Sequence, residues 1–399
     1  MPMRHISQRQ LFLQHVAQTS PAPLGLEIER AEGLYLYDEE GRRYADLISG
    51  IGVSSLGHCH PAVVKAVQEQ AAKFMHLMVY GEYIHSPQVQ LSTRLAELLP
   101  ENLNSVYITN SGAEATEGAL KLAKRYTGRT RLVSFKNAYH GSTHGALSVM
   151  GSEYFKNAYR PLLPDVQLLE YNNIADLENI SCRTAAVIVE TIQGEAGAVV
   201  PDAGFLQALR KKCTEMGALL ILDEIQCGFG RTGKLFAFEH FGIVPDVLLT
   251  AKAMGGGMPI GAFISSNEIM NTLTNNPVLG HITTFGGHPV SCAAALATLT
   301  ELTESKLIDG VEEKGELFRK YLQHPAIKAI HGKGLMLSVE FENHELLLKI
   351  IERCIFNGII TDWFLFSDNR MRLAPPLIIT AEQIEECSAV IVRSIDEAI

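Results

Sequence analysis

The chain has 399 residues, 47% of them hydrophobic and 20% charged. That is ordinary globular composition, with room for two domains. The formal net charge of -10 argues against a general nucleic-acid role, which needs a basic footprint. No apolar run approaches the roughly 20 residues of a membrane span, and residues 1–16 hold no continuous apolar core of signal-peptide length. The seven cysteines are scattered and form no CxxC pair. Reduced thiols in a cytoplasmic protein fit that pattern.

In chain order, residues 33–46 alternate apolar and polar around the turn Asp38-Glu39-Glu40-Gly41, which predicts a hairpin. His58, Cys59 and His60 look like metal ligands. However, adjacent residues rarely point at one ion, and no further Cys/His cluster completes a tetrahedral set, so no metal is expected. Pro61 starts a helix predicted over 62–75. A strand at 106–109 runs into Asn110-Ser111-Gly112-Ala113-Glu114 and then a helix through 126. Ser111 and Glu114 have the spacing of a capping box. Such a turn presents free N–H groups and the positive dipole end, a natural phosphate seat. The same residues also read as a plain helix cap. After the strand at 132–135 comes Tyr139-His140-Gly141-Ser142, where an aromatic residue can stack on a planar ring or belong to the core. The apolar strand at 185–189 ends in Glu190, with Gln193-Gly194-Glu195-Ala196-Gly197 behind it.

The organising stretch follows. An apolar run at 218–222 ends abruptly in Asp223-Glu224, and a second at 247–250 delivers Ala251-Lys252. Open α/β sheets bind ligands beyond the carboxyl ends of their strands, so the acid and the lysine are expected in one crevice. A lysine amine can form a Schiff base with a carbonyl cofactor. A carboxylate can keep a pyridinium nitrogen protonated, and together these are the protein's contributions to pyridoxal phosphate chemistry. A strand-end cap and a surface lysine are the alternative for these two residues alone. Between them, residues 228–235 match both G-x-x-x-x-G-K and G-x-G-x-x-G. Those motifs need a strand directly before and a helix directly after. Here residues 223–227 intervene, and Leu235 stands where a hydroxyl would bind Mg²⁺.

Strands near 106, 132, 185, 218, 247 and 262, separated by helical segments, predict a mainly parallel sheet with helices on both faces. The character changes at 289. The expected division is an N-terminal segment 1–48 that joins a small domain, a large domain 49–288, and a small α+β domain 289–399.

Together these pieces resemble the class III (ω-amino acid) aminotransferases, α/β enzymes of pyridoxal-phosphate fold type I. The resemblance is carried, in family order, by Gly57-His58-Cys59-His60-Pro61, Asn110-Ser111-Gly112-Ala113-Glu114-Ala115, Tyr139-His140-Gly141, Gln193-Gly194-Glu195-Ala196-Gly197, Leu222-Asp223-Glu224-Ile225-Gln226, Gly228-Phe229-Gly230-Arg231-Thr232-Gly233, Ala251-Lys252, Gly257-Met258-Pro259-Ile260-Gly261 and Thr284-Phe285-Gly286-Gly287.

The resemblance implies a cofactor, pyridoxal 5'-phosphate, held by Lys252 as an internal aldimine. Lys252 would then move the proton between the substrate's α-carbon and the cofactor. Asp223 would pair with the ring nitrogen and Gln226 with the ring 3-oxygen. Ser111, Gly112 and Ala113 would seat the phosphate, and Tyr139 would stack on the ring. His140 and Glu190 join the cofactor-binding set. Family members are homodimers with shared active sites, and Thr284 matches the residue that reaches the partner's phosphate. Glu195 and Arg372 match the gated pair of acetylornithine, ornithine and 4-aminobutyrate aminotransferases, in which the arginine binds the α-carboxylate of glutamate. An amino group would pass from an ω-amine or amino acid to 2-oxoglutarate. Ser142 departs from the family: an arginine that grips a substrate carboxylate usually stands there. Racemases, epimerases and aminomutases of the same family, or a binding protein on the same scaffold, are the other readings.

Overall fold

A computed structural model describes residues 7–399; residues 1–6, the start of the expected N-terminal segment, lie outside the described residues. The predicted strands assemble into one seven-stranded sheet. Its order is Ser105–Thr109, Gly261–Ser265, Val247–Ala251, Leu219–Asp223, Thr184–Glu190, Arg131–Phe135, Val166–Leu169. Gly261–Ser265 runs antiparallel to both its neighbours, and the other pairings are parallel. The strands Thr184–Glu190, Leu219–Asp223 and Val247–Ala251 are buried along their whole length. That explains why they read as unbroken apolar runs: a sheet covered on both faces has no polar side. The edge strand Val166–Leu169 was not predicted. It has four residues, three of them half-buried, too few to show a pattern.

The helix Gly112–Thr127 covers one face of this sheet, its Ala115, Ala119, Leu122 and Ala123 packing with Ile221, Leu249 and Phe263. Ser111 caps it by accepting from the Glu114 N–H at 3.2 Å. The expected capping box is only half formed. The Glu114 carboxylate turns back to the N–H and side-chain amide of Asn110, at 2.8 and 2.8 Å, and so fixes the turn rather than the cap.

Two smaller sheets complete the chain. The hairpin Tyr35–Asp38 and Arg43–Asp46 forms as predicted, and Ile359–Ile360 adds to it in parallel. The antiparallel sheet Ala329–Lys333, Met336–Glu340, Ser367–Leu373 and Trp363–Phe364 brings Arg372 inward. The loop 228–233 ties these parts together and is followed by a 3-10 turn, not an α-helix. Its Arg231 is fully buried and donates to the carbonyls of Leu335 and Pro375 and to the Ser55 hydroxyl. Burial draws that guanidinium down to about 10. His58 is likewise structural, 2.8 Å from the Asp46 carboxylate. Among the described residues no helix is long and apolar enough to cross a membrane.

Candidate active site

The carboxyl ends of the parallel strands open into a cavity of about 760 Å³. It is lined by Ser111, Gly112, Ala113, Tyr139, His140, Glu190, Glu195, Asp223, Gln226 and Lys252, together with Ser142 and other residues. An adjoining cavity of about 450 Å³ adds Arg372, Asp362, Trp363, Leu365 and Ile51. Of the expected site residues, Thr284 alone lines neither. It stands exposed on the outside of the subunit.

Asp223 ends one strand and leads straight into the cavity, and Lys252 directly follows the parallel neighbour Val247–Ala251 as the first residue of a 3-10 turn. Lys252 sits at a left-handed φ of 46°, a conformation that a non-glycine residue holds only when its surroundings fix it. The surface Lys252 retains faces the two cavities it lines. Desolvation by the surrounding protein draws its pKa down, which favours the neutral, nucleophilic amine. One Asp223 oxygen lies 2.7 Å from His140 Nδ1, and the other accepts the Ile225 N–H at 3.0 Å. His140 is the residue whose task was not legible in the sequence: it orients the acid from a loop 83 positions earlier.

Glu190 is buried beside this pair. Burial, then the charges of Asp223 and Glu195, push its carboxyl well above the usual range. Its Oε1 accepts only a long bond of 3.4 Å from Gly194, and Oε2 has no partner. His140 Nε2 is unpartnered too. Buried polar atoms without partners are rare and mark places where a ligand completes the set.

At the far end, Gly112 and Ala113 are the first residues of a 16-residue helix, whose opening N–H groups have no partner within the helix. Gly141 (φ 122°) lets the next loop approach so closely that a Cβ there would lie 2.7 Å from that of Ala113. Gly194 does the same for Gln226: a Cβ would meet its Oε1 at 2.3 Å.

The substrate side carries an ion pair. Arg372 Nη1 and Nη2 donate to Glu195 Oε1 and Oε2, each at 3.0 Å. Burial raises the Glu195 pKa, but the Arg372 charge and hydrogen bonds outweigh it and hold the carboxyl below its usual range. Arg372 is held above its ordinary value: burial opposes this, and the charges of Glu195 and Asp362 overcome it. Asp362 was missed from the sequence. It accepts from Arg372 Nε at 2.8 Å. Its signal was an acid two residues after the apolar pair Ile359-Ile360, across a hairpin from the arginine.

These residues fit a planar, anionic carbonyl cofactor. A helix N-terminus suits its phosphate, an oriented acid its ring nitrogen, and an amine of lowered pKa its carbonyl. Fold and site together define a pyridoxal-phosphate enzyme of fold type I. The sequence model of class-III aminotransferases matches residues 16–395. The chain is 40% identical over 361 residues to the acetylornithine aminotransferase of Methanopyrus kandleri, covering 90% of this chain and 91% of that one. It is 41% identical over 360 residues to the acetylornithine aminotransferase of Archaeoglobus fulgidus, covering 90% and 92%. Its fold overlays that of the ornithine aminotransferase from Toxoplasma gondii with a TM-score of 0.90 at 32% identity, covering 97% of this chain and 93% of that one. The chain therefore belongs to the class-III aminotransferase family. It is a pyridoxal-phosphate-dependent aminotransferase.

Proposed function

We propose that this enzyme moves the terminal amino group of an ω-amine or amino acid to 2-oxoglutarate, with Lys252 as the attachment point and proton carrier. The observation that carries the reading is the buried Glu195–Arg372 pair beside Lys252. A racemase has no use for such a two-substrate switch. Bound pyridoxal phosphate supplies a carbonyl for the amine and a ring that accepts the electron pair left when a proton leaves the substrate carbon.

The chain's residues do the rest. Ser111, Gly112 and Ala113 would hold the phosphate, and Tyr139 would lie against the ring. Gln226 would donate to the ring oxygen. Asp223, steadied by His140, would face the ring nitrogen, and Glu190 would support that wall. The Lys252 amine would carry the proton that leaves the substrate carbon bearing the transferred amino group. Arg372 binds the α-carboxylate of glutamate or 2-oxoglutarate once Glu195 withdraws. With an ω-amine in place, Glu195 masks Arg372, because a buried unpaired guanidinium is costly.

The donor side is apolar around Ile51, Trp363 and Leu365. With Ser142 in place of an arginine, a donor without a distal carboxylate, or one anchored differently, suits it. The M. kandleri and A. fulgidus relatives are named for acetylornithine, which makes N-acetylornithine the first donor to try. Residues 49–288 form the cofactor-binding unit in this reading, with 1–48 and 289–399 forming the smaller one.

The enzyme works as a cytoplasmic homodimer in which Thr284 serves the partner's phosphate. Its exposure on a subunit whose own cavity it does not line supports this. One experiment covers lysine and dimer together. The Lys252→Ala protein should fold, keep no cofactor after borohydride reduction and show no turnover. Mixed with an inactive Thr284→Trp chain under subunit exchange, it should regain part of the activity. Borohydride-fixed cofactor in the alanine protein would remove the role of Lys252. No recovery despite exchange would leave each subunit self-contained.

A further inference from the structure

We propose that Asp362 is the fixed half of the clamp on Arg372, a positioning residue that keeps the guanidinium aimed while Glu195 comes and goes; the inference rests on the gate described above. Arg372 meets its two carboxylates through different edges. Glu195 takes the terminal nitrogens, Nη1 and Nη2, at 3.0 Å each. Asp362 takes Nε alone, at 2.8 Å. A substrate carboxylate that binds as a bidentate pair on the terminal edge competes with Glu195 and not with Asp362.

The two carboxylates are also mounted differently. Asp362 lies beside Arg372 on adjacent segments of the small antiparallel sheet. The Arg372 N–H donates to the Asp362 carbonyl at 2.9 Å, and the Thr361 hydroxyl donates to the Arg372 carbonyl at 2.7 Å. Phe364, two residues on, sets its ring 4.3 Å from the guanidinium carbon, within cation–π reach. The segment 361–364 thus fixes the arginine's backbone, its Nε edge and one face. Glu195 enters from the turn after strand Thr184–Glu190, an element of the large sheet. Its other side-chain bonds are longer, 3.2 Å from Gln226 Nε2 and 3.3 Å from the Leu365 N–H. The Glu195 carbonyl accepts the Phe366 N–H at 3.0 Å, so its backbone stays with this segment, and a rotation of its side chain alone breaks the two terminal bonds while leaving the Nε bond in place.

The charge balance fits as well. With the gate closed, one guanidinium faces two carboxylates. When a substrate carboxylate takes the place of Glu195, the guanidinium again faces two carboxylates, so the arginine itself is never left unpaired. Without Asp362, the arginine would lose its in-plane anchor each time Glu195 left.

The test uses the holoenzyme and glutarate, a dicarboxylate that cannot react. Glutarate affinity is measured by calorimetry for Asp362→Ala, Asp362→Asn and Arg372→Ala, with cofactor content and melting temperature matched to wild type. Asp362→Ala should weaken glutarate about tenfold or more and raise KM for glutamate likewise, with kcat changed less than about threefold, as expected for lost orientation. The asparagine oxygen still accepts from Nε, so Asp362→Asn should recover binding to within about threefold. Should the alanine chain fail to fold, Asp362→Ser, too short to reach Nε, takes its place with the same expected loss. Wild-type affinity in the alanine or serine chain overturns the inference, as does an asparagine chain no better than alanine, which would make the effect one of charge. If Arg372→Ala loses glutarate and Asp362→Ala does not, this inference fails alone. If Arg372→Ala also binds as wild type does, it falls together with the gate.

Discussion

Lys252 and Arg372 both line the active-site cavities, and the protein treats the two cations in opposite ways. Lys252 is desolvated at a strand end, near the charges of Glu195, Asp223 and Glu190 but hydrogen-bonded to no carboxylate among the described residues. Its proton is made easy to lose. Arg372 is gripped by two carboxylates through three nitrogens, and its charge is secured. The acids divide in the same way. Glu190, beside the lysine, has an oxygen with no partner, while both oxygens of Glu195 are engaged. A residue that must trade protons is left under-satisfied. A residue that must present charge is over-satisfied until its substrate arrives.

The sharpest way to break this contrast is to remove the acid that serves the cofactor. Asp223→Asn should still bind the cofactor, since its shape and its Ile225 contact survive. An amide cannot balance the charge on a ring nitrogen, and the lost electrostatic stabilisation is worth about 3 kcal/mol, roughly a hundredfold in rate. Single-turnover measurement of α-proton removal decides it; a rate within a few-fold of wild type would show that Asp223 acts only structurally.

The gate comes next. Arg372→Lys keeps a charge but not the planar fork. It should slow the glutamate half-reaction about 10- to 100-fold and the amine half-reaction much less. Glu195→Ala should tilt preference the other way, towards glutamate. Equal slowing of both half-reactions by both substitutions would reduce the pair to a structural tie.

The smallest effect is on stability against pH, where the two glutamates should have opposite signs. Glu195 is depressed in the fold from a reference of 4.5. Its contribution is present above pH 4.5 and is lost as pH falls through the folded value. Glu190 is raised from the same reference. Its contribution is complete below pH 4.5 and is lost as pH rises through the raised value. Melts of the cofactor-free protein across that range should show Glu195→Gln losing stability at neutral pH. Glu190→Gln should lose the decline that sets in as pH rises through the raised value, each effect amounting to about 3 °C. Parallel curves for both variants would contradict the contrast.

The strand ends were legible because burial on both faces leaves a signature in sequence: a continuous apolar run that stops at a charged residue. Asp223, Glu190 and Lys252 all sit at such stops. The turn at Ser111 was legible because local hydrogen bonding dictates its composition, though Glu114 went to Asn110 rather than to the cap. Glu195 and Arg372 were named by resemblance alone, since nothing in the spacing of two residues 177 positions apart implies contact.

What the sequence determined by itself, then, was the set of elements and the points where each delivers a polar side chain. Those follow from short-range periodicity and from what a buried strand can contain. The tertiary structure decided which of those side chains meet: His140 against Asp223, Glu195 and Asp362 on two edges of Arg372, Arg231 across three distant segments, and Thr284 outside its own cavity. These pairings depend on strand order and on how the small sheet sits over the large one, long-range choices that no local pattern encodes.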